Sequence, residues 1–197
     1  MYKIRNDLNE NIKREEKINR RFLAFTALLV AVLCVVFFLF NEVYFNVLVE
    51  GDSMKPTLKS GDVLTVNTLK EVERGDIIIV DNKGKLIIKR AIAVPHDRVK
   101  IKDGFVFVNG SLLEEDYILR QGSTDNFTWT TEDYILKEGE IFYLGDNRED
   151  SSDSRIYGTC KVSNVKGVVE EWSLNPSGVG KVVHKILTFT SRVNDNI

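Results

Sequence analysis

The chain has 197 residues, 43% of them hydrophobic and 28% charged, with a formal net charge of −2. That balance suits one compact globular domain and lacks the basic excess of a nucleic-acid binder, so a nucleic-acid partner is excluded. The charge is unevenly spread: Lys3, Arg5, Lys13, Arg14, Lys17, Arg20 and Arg21 against Asp7, Glu10, Glu15 and Glu16 leave residues 1–21 at +3 and the rest at −5.

Residues 1–21 read as a cytoplasmic segment, able to lie as a helix on the inner membrane surface. Phe22–Phe40 follows as FLAFTALLVAVLCVVFFLF, without a charge. A helix rising ~1.5 Å per residue over that length matches a ~30 Å hydrocarbon core. A buried soluble helix would show a polar face, and here only Thr26 and Cys34 interrupt the apolar run. A cleavable leader would have a shorter apolar stretch and a small-x-small site after it, whereas the chain continues Asn41-Glu42-Val43-Tyr44-Phe45. Residues 22–41 are therefore expected to form a transmembrane anchor in the lipid bilayer. Lys17, Arg20 and Arg21 flank one end and Glu42 and Glu50 the other, which by the positive-inside rule keeps the amino-terminal segment in the cytoplasm and the remainder outside. Cys34 and Cys160 then lie in different compartments and are expected as free thiols. No metal-ligand spacing involves them or the two histidines.

Residues 42–172 predict a β domain. Short runs rich in Val, Ile, Phe and Tyr, separated by turn signals, read as strands over Val43–Glu50, Asp62–Asn67, Asp76–Asp81, Lys85–Pro95, Arg98–Lys102, Phe105–Asn109, Glu140–Leu144 and Val165–Trp172. Asp103-Gly104 between two alternating runs is a strong hairpin signal, and Asn82-Lys83-Gly84 marks another turn. Gly110–Lys137 is polar and irregular and reads as a surface excursion. Residues 173–197 read as a tail, within which Val179–Val193 has the spacing of a short amphipathic helix. The expected architecture is mostly β: an antiparallel coiled, barrel-like sheet behind one amino-terminal transmembrane helix.

Three segments carry chemistry. Ser53 lies in Gly51-Asp52-Ser53-Met54-Lys55-Pro56-Thr57-Leu58, where Gly51 permits an unusual backbone angle and Met54 offers an apolar side chain to an arriving hydrophobic substrate. In the strand Leu86–Val94, alternation puts Lys89 on one face with Ile87, Ala91 and Ala93, and Arg90 on the other. An apolar surround disfavours the ammonium and lowers a lysine pKa, so that the amine can serve a serine as general base near neutral pH. A sheet-edge lysine that discourages aggregation is the competing reading. The third segment, Leu144-Gly145-Asp146-Asn147-Arg148-Glu149-Asp150-Ser151-Ser152-Asp153-Ser154-Arg155, mixes carboxylates, arginines and hydroxyls as an internally hydrogen-bonded loop beside a site would.

Together these segments resemble the type I signal peptidases, Ser-Lys endopeptidases that remove signal peptides from exported preproteins. The similarity runs from about Val43 to Trp172: Ser53–Leu58 is similar to the S-M-x-P-T-L segment, Lys89-Arg90 to the K-R pair, and Gly145–Arg155 to G-D-N-R-x-x-S-x-D-S-R. One anchor with no large insertion resembles the shorter, Gram-positive-type members. The resemblance implies that Ser53 attacks the scissile carbonyl, that Lys89 takes its proton and that Ser151 orients the lysine amine. It implies supporting roles for Asp146, Asp153 and Arg155 behind the site. It also implies an oxyanion donor in the Ser53 backbone amide, substrate contacts from Met54, Ile87 and Ala91, and cleavage after Ala-x-Ala without metal or cofactor. Three positions depart from the family pattern. Gly51 stands where many members have an oxyanion-binding serine. Ala93-Val94-Pro95-His96-Asp97 replaces G-L-P-G-D and places His96 in a turn. Glu149-Asp150 replaces D-N. Two other readings compete. A self-cleaving repressor-type Ser-Lys protease would have a soluble DNA-binding segment in place of the anchor. A non-catalytic or specialised factor for pilus or surface-protein assembly would, if degenerate, have lost Ser53 or Lys89.

Overall fold

The computed structural model describes residues 2–124 and 133–174, with side chains from residue 13 onward. Two compact units divide at Val43. The first is helix α1, Tyr2–Val43. No glycine or proline occurs before Gly51, so nothing interrupts the helix between its charged and apolar halves. The amino-terminal segment and the apolar run are thus one continuous element. From Lys13 to Val43 it is long and apolar enough to cross a membrane. Phe22, Leu23, Phe25, Leu28, Leu33 and Phe38 stand exposed around it, a surface that water does not favour and lipid does. The helix ends at Val43, so the first strand begins one residue later than expected.

The second unit is two antiparallel sheets. Its strands are β1 (Tyr44–Leu48), β2 (Val63–Asn67), β3 (Ile77–Asn82), β4 (Lys85–Ala93), β5 (Arg98–Lys102), β6 (Phe105–Val108), β7 (Ser111–Leu112), β8 (Tyr134–Ile135), β9 (Glu140–Leu144), β10 (Cys160–Lys161) and β11 (Val165–Val169). The larger sheet runs β1-β2-β11-β3-β4-β9-β10 and the smaller β7-β6-β5-β8. The mostly antiparallel β architecture is as expected, and the described sheets are open with no closed barrel. Helix α2 (Ser154–Tyr157) and helix α3 (Glu171–Leu174) are single turns. The last strand therefore stops at Val169 instead of Trp172. The helix expected over Val179–Val193 lies outside the described residues.

Turn chemistry sets the registers. Lys83 and Gly84, and again Asp103 and Gly104, take positive φ in two-residue hairpin loops, pairing Asn82 with Lys85 and Lys102 with Phe105. In β3 both faces are buried. Ile77 and Ile79 pack with Val49, Met54, Leu58, Leu64, Val66 and Val169, while Ile78 and Val80 pack with Ala91, Ile141, Tyr143 and Val168. A strand covered on both faces reads as an unbroken apolar run, as Ile77–Val80 does. A third cluster joins the sheets through Ile92, Ala93, Val99, Ile101, Val106, Val108, Leu136, Phe142 and Leu144.

Two expectations are corrected. The β4–β9 register shifts between Ala91 and Ala93, so strict alternation fails there. Ala91 stays with Ile87 in the cluster around Ile78, but Ala93 packs with Ile92 in the third cluster and leaves the face assigned to Lys89. The Gly110–Lys137 excursion contributes strands β7 and β8, and it buries Glu115 and Thr124.

Candidate active site

The nucleophile segment connects β1 to β2. Its ends are held together by Val49 N donating to Asp62 O (2.8 Å) and Gly61 N to Val49 O (2.9 Å). Within it Lys55 N donates to Asp52 O (3.1 Å) and Leu58 N to Met54 O (2.9 Å), a tight turn that presents Ser53. Gly51 adopts φ +84°, the left-handed region anticipated for it, with open space where a Cβ would stand. Met54 points inward: at 2% exposure it packs beside Leu58 and Leu64 in the core.

Strand β4 delivers Lys89 to Ser53. Lys89 Nζ lies 2.8 Å from Ser53 Oγ and donates to the carbonyl of Ile88, also at 2.8 Å. Lys89 is 4% exposed, so it is not the solvated lysine that guards a sheet edge against aggregation. Burial pushes its pKa down to about 8, against the opposing pull of Asp153 and Asp146; Lys85 adds a smaller downward push.

The third segment leaves β9 and wraps the pair. Asn147 N donates to Ser53 O (3.0 Å) and Asn147 Nδ2 to Asp52 O (3.2 Å). Gly145 is required by close approach, because a Cβ there would stand 2.2 Å from Ser151 Oγ and 2.5 Å from Ser53 O. Asp146 receives Arg90 through Nε (2.9 Å) and Nη2 (2.7 Å) and accepts from Thr57 Oγ1 (2.5 Å). That pair ties β4 and the nucleophile turn to one carboxylate. Asp153 is fully buried. It caps α2 by accepting from Arg155 N, receives Gly145 N (3.0 Å), and pairs with Arg155 through Nε (2.8 Å) and Nη2 (2.9 Å). Ser151 Oγ is buried with no hydrogen-bond partner among the described residues, pressed against the space at Gly145 beside Ser53. The structure thus gathers Ser53, Lys89, Asp146, Ser151, Asp153 and Arg155, and gives Lys89 Nζ to Ser53 and Ile88.

Sequence reasoning missed one layer. Arg148 donates to Gly145 O (2.9 Å) and Thr124 Oγ1 (2.6 Å) and forms a two-pronged pair with Glu115, both charges almost fully buried. Tyr117 Oη donates to Glu115 (2.9 Å), and its ring lies under the Arg90 guanidinium at 4.0 Å. Burial and the Glu115 charge push the Tyr117 phenol up. The excursion therefore braces Arg148 of the catalytic loop and Arg90 of β4. Glu115→Ala leaves Arg148 buried and unpaired, and is expected to destabilise the fold by about 3–5 kcal/mol, read as a lowered urea midpoint. His96 turns away at φ +71°, pairs with Glu138 (2.9 Å) in solvent and does not line the cleft, as its expected turn position implies. Both cysteines are free thiols, and burial pushes Cys160 up to about 11. No cluster of metal ligands occurs among the described residues.

Ser53 and Lys89 open on a cleft of about 690 Å³ whose walls include Val47–Val49, Met54, Leu86–Ile88 and Tyr157. Ile87 lines it, whereas Ala91 is fully buried elsewhere and does not. From Lys85 to Lys89, β4 pairs with β3 on one side only, because β9 joins at Arg90. A segment of extended peptide has a strand edge to lie against there.

A serine presented by a tight turn, over a cleft bordered by an open strand edge, is the layout of a serine endopeptidase. Residues 20–173 match the family described as signal peptidase, peptidase S26. The signal peptidase I of Bacillus caldolyticus is 38% identical over 174 residues, 80% of this chain and 92% of that one. Signal peptidase I V of Bacillus subtilis strain 168 is 34% identical over 145 residues, 66% of this chain and 86% of that one. A solved signal peptidase I from Enterococcus faecalis V583 is 32% identical, with a TM-score of 0.43 over 51% of this chain and 98% of that one. The chain belongs to the signal peptidase family, serine endopeptidases that act on preproteins carrying signal peptides.

Proposed function

We propose that the chain is a single-pass membrane protein that cuts signal peptides from exported preproteins with a Ser53–Lys89 dyad, after small residues of the Ala-x-Ala type. The observation that carries this is the 2.8 Å contact between Ser53 Oγ and a lysine amine buried to 4% exposure. Burial favours the neutral amine, and across the same contact the serine hydroxyl then becomes the donor. As Ser53 Oγ attacks the scissile carbonyl, Lys89 Nζ takes its proton, then returns it to the leaving amine of the mature protein. The same amine removes a proton from the water that hydrolyses the acyl-serine. The Ser53 backbone amide is the oxyanion donor; Gly51 contributes no hydroxyl. Ser151 Oγ, buried beside Gly145 and bonded to none of the described residues, Lys89 included, is the hydroxyl that would turn to the amine and orient it. Asp146, Asp153 and Arg155 hold the loop. An intact, hydrogen-bonded pair supports a catalytic reading over a non-catalytic assembly factor.

The test is incubation of the detergent-solubilised full chain with a preprotein, followed by mass spectrometry of the products. One new amino terminus after a small residue is expected; an uncut preprotein removes the proposal.

The charge asymmetry about α1 supports an orientation with residues 1–21 in the cytoplasm and the β unit outside. Protease added to wall-stripped cells should digest the chain beyond Glu42. Complete protection would reverse the topology.

A further inference from the structure

We infer that the cleft selects precursors by charge, favouring a basic residue and disfavouring an acidic one just after the cut. The inference rests on the Ser53–Lys89 reading and names which precursors that site takes. The groups lining the cleft around the nucleophile are acidic: Glu50 and Asp52 flank Ser53, and Asp150 faces them from the catalytic loop. Asp150 is fixed there, since its N–H donates to Asn147 O (3.1 Å) and Asn147 in turn holds the carbonyls of Ser53 and Asp52. Asp52 is paired with Lys55 at 2.8 Å, but Glu50 and Asp150 are exposed and have no ion-pair partner among the described residues.

The cations of the cleft do not offset them. Lys89 works as the neutral amine. Lys85, four residues back along β4, is a single ammonium whose charge is felt at Lys89. The cleft therefore keeps an acidic excess at the nucleophile, because Glu50 and Asp150 are unpaired and Lys85 is the one charged lysine among the lining residues that faces them. The small residues of an Ala-x-Ala site bring no charge to this field, and with its middle residue held fixed the discrimination is read on the first residues of the mature chain. These carboxylates form no separate site; they bias the one built on Ser53 and Lys89. Their exposure makes the bias moderate and sensitive to salt.

The experiment uses the full chain in detergent and one preprotein made with Lys, Gln or Glu in turn at each of the first three mature positions. Wild-type cleavage of the Gln series tests the peptidase reading itself, and its failure overturns that reading and the preference with it. At about 50 mM salt, kcat/KM is expected to be about five- to tenfold higher for Lys than for Glu at the most sensitive position, with Gln between. The ratio should fall towards one at about 0.5 M salt. Glu50→Gln combined with Asp150→Asn should flatten it at low salt. Equal or reversed rates for Lys and Glu overturn the inference, as does a preference that survives unchanged in the double variant.

Discussion

Lys89→Met is expected to lower kcat/KM for a preprotein by about 10³- to 10⁴-fold while making the protein more stable at neutral pH. Methionine keeps the length and apolar stem of lysine but cannot take the proton of Ser53. The stability gain follows from the direction of the lysine shift. Unfolded, Lys89 titrates at its ordinary 10.5; folded, burial brings it to about 8. Between those values the unfolded chain holds a proton that the folded chain lacks, so stability rises with pH across that window and the cost of the buried ammonium is full below it. The interval from 10.5 to about 8 corresponds to about 3 kcal/mol, at ~1.4 kcal/mol per pH unit. Urea denaturation at pH 7 and at pH 10 should show the Met variant ahead at pH 7 and the two proteins converging at pH 10. Cleavage by the wild type should rise with pH to a plateau with a midpoint near 8. Lys89→Arg should stay inactive throughout, because guanidinium does not deprotonate in this range. Wild-type rates in Lys89→Met would remove the lysine from the mechanism.

Ser53→Ala is expected to abolish cleavage by a comparable factor with almost no change in stability. The side chain lines the cleft, and its one side-chain hydrogen bond among the described residues is to Lys89, which keeps the carbonyl of Ile88 as a second partner. The backbone contacts that shape the turn, including Asn147 N to Ser53 O, survive the substitution. Because the cleft walls are unaltered, the variant should still bind preprotein. A stable complex recovered by crosslinking, together with no new amino terminus, is the expected pair of results. Cleavage retained after host peptidase is excluded would mean another nucleophile.

The parts legible in the sequence were those whose physics is local. The uncharged stretch Phe22–Phe40 carries no glycine or proline and forms helix, Asp103-Gly104 has one common turn, and the alternation around Lys89 brings Ile87 and Ala91 to its side. Asn109-Gly110 is an equally strong hairpin signal at the start of the stretch expected to be irregular; both residues take positive φ in the turn that pairs Val108 with Ser111. The bulge at Ile92 was not legible, since it arises from how β4 meets β9, fifty residues on. Nor were the partners of Arg148: nothing near Glu115 or Thr124 in the chain says that a loop over twenty residues later needs them. The burial of Met54 is not legible either: the sequence offers it to an arriving substrate, whereas the tight turn packs most of it into the core and leaves it as part of the cleft wall.

The open edge of β4 has a consequence for handling the protein as well as for cleaving peptides. Lys85–Lys89 offers main-chain groups that a precursor would satisfy, and between turnovers they face solvent beside the exposed apolar side chains of Leu48 and Leu86. An unpaired strand next to apolar surface recruits other strands, including those of neighbouring copies. Concentrated protein should therefore self-associate through the cleft, with occupancy by a non-cleavable strand mimic keeping it monodisperse, so that an inhibitor of this site would also act as its solubilising agent.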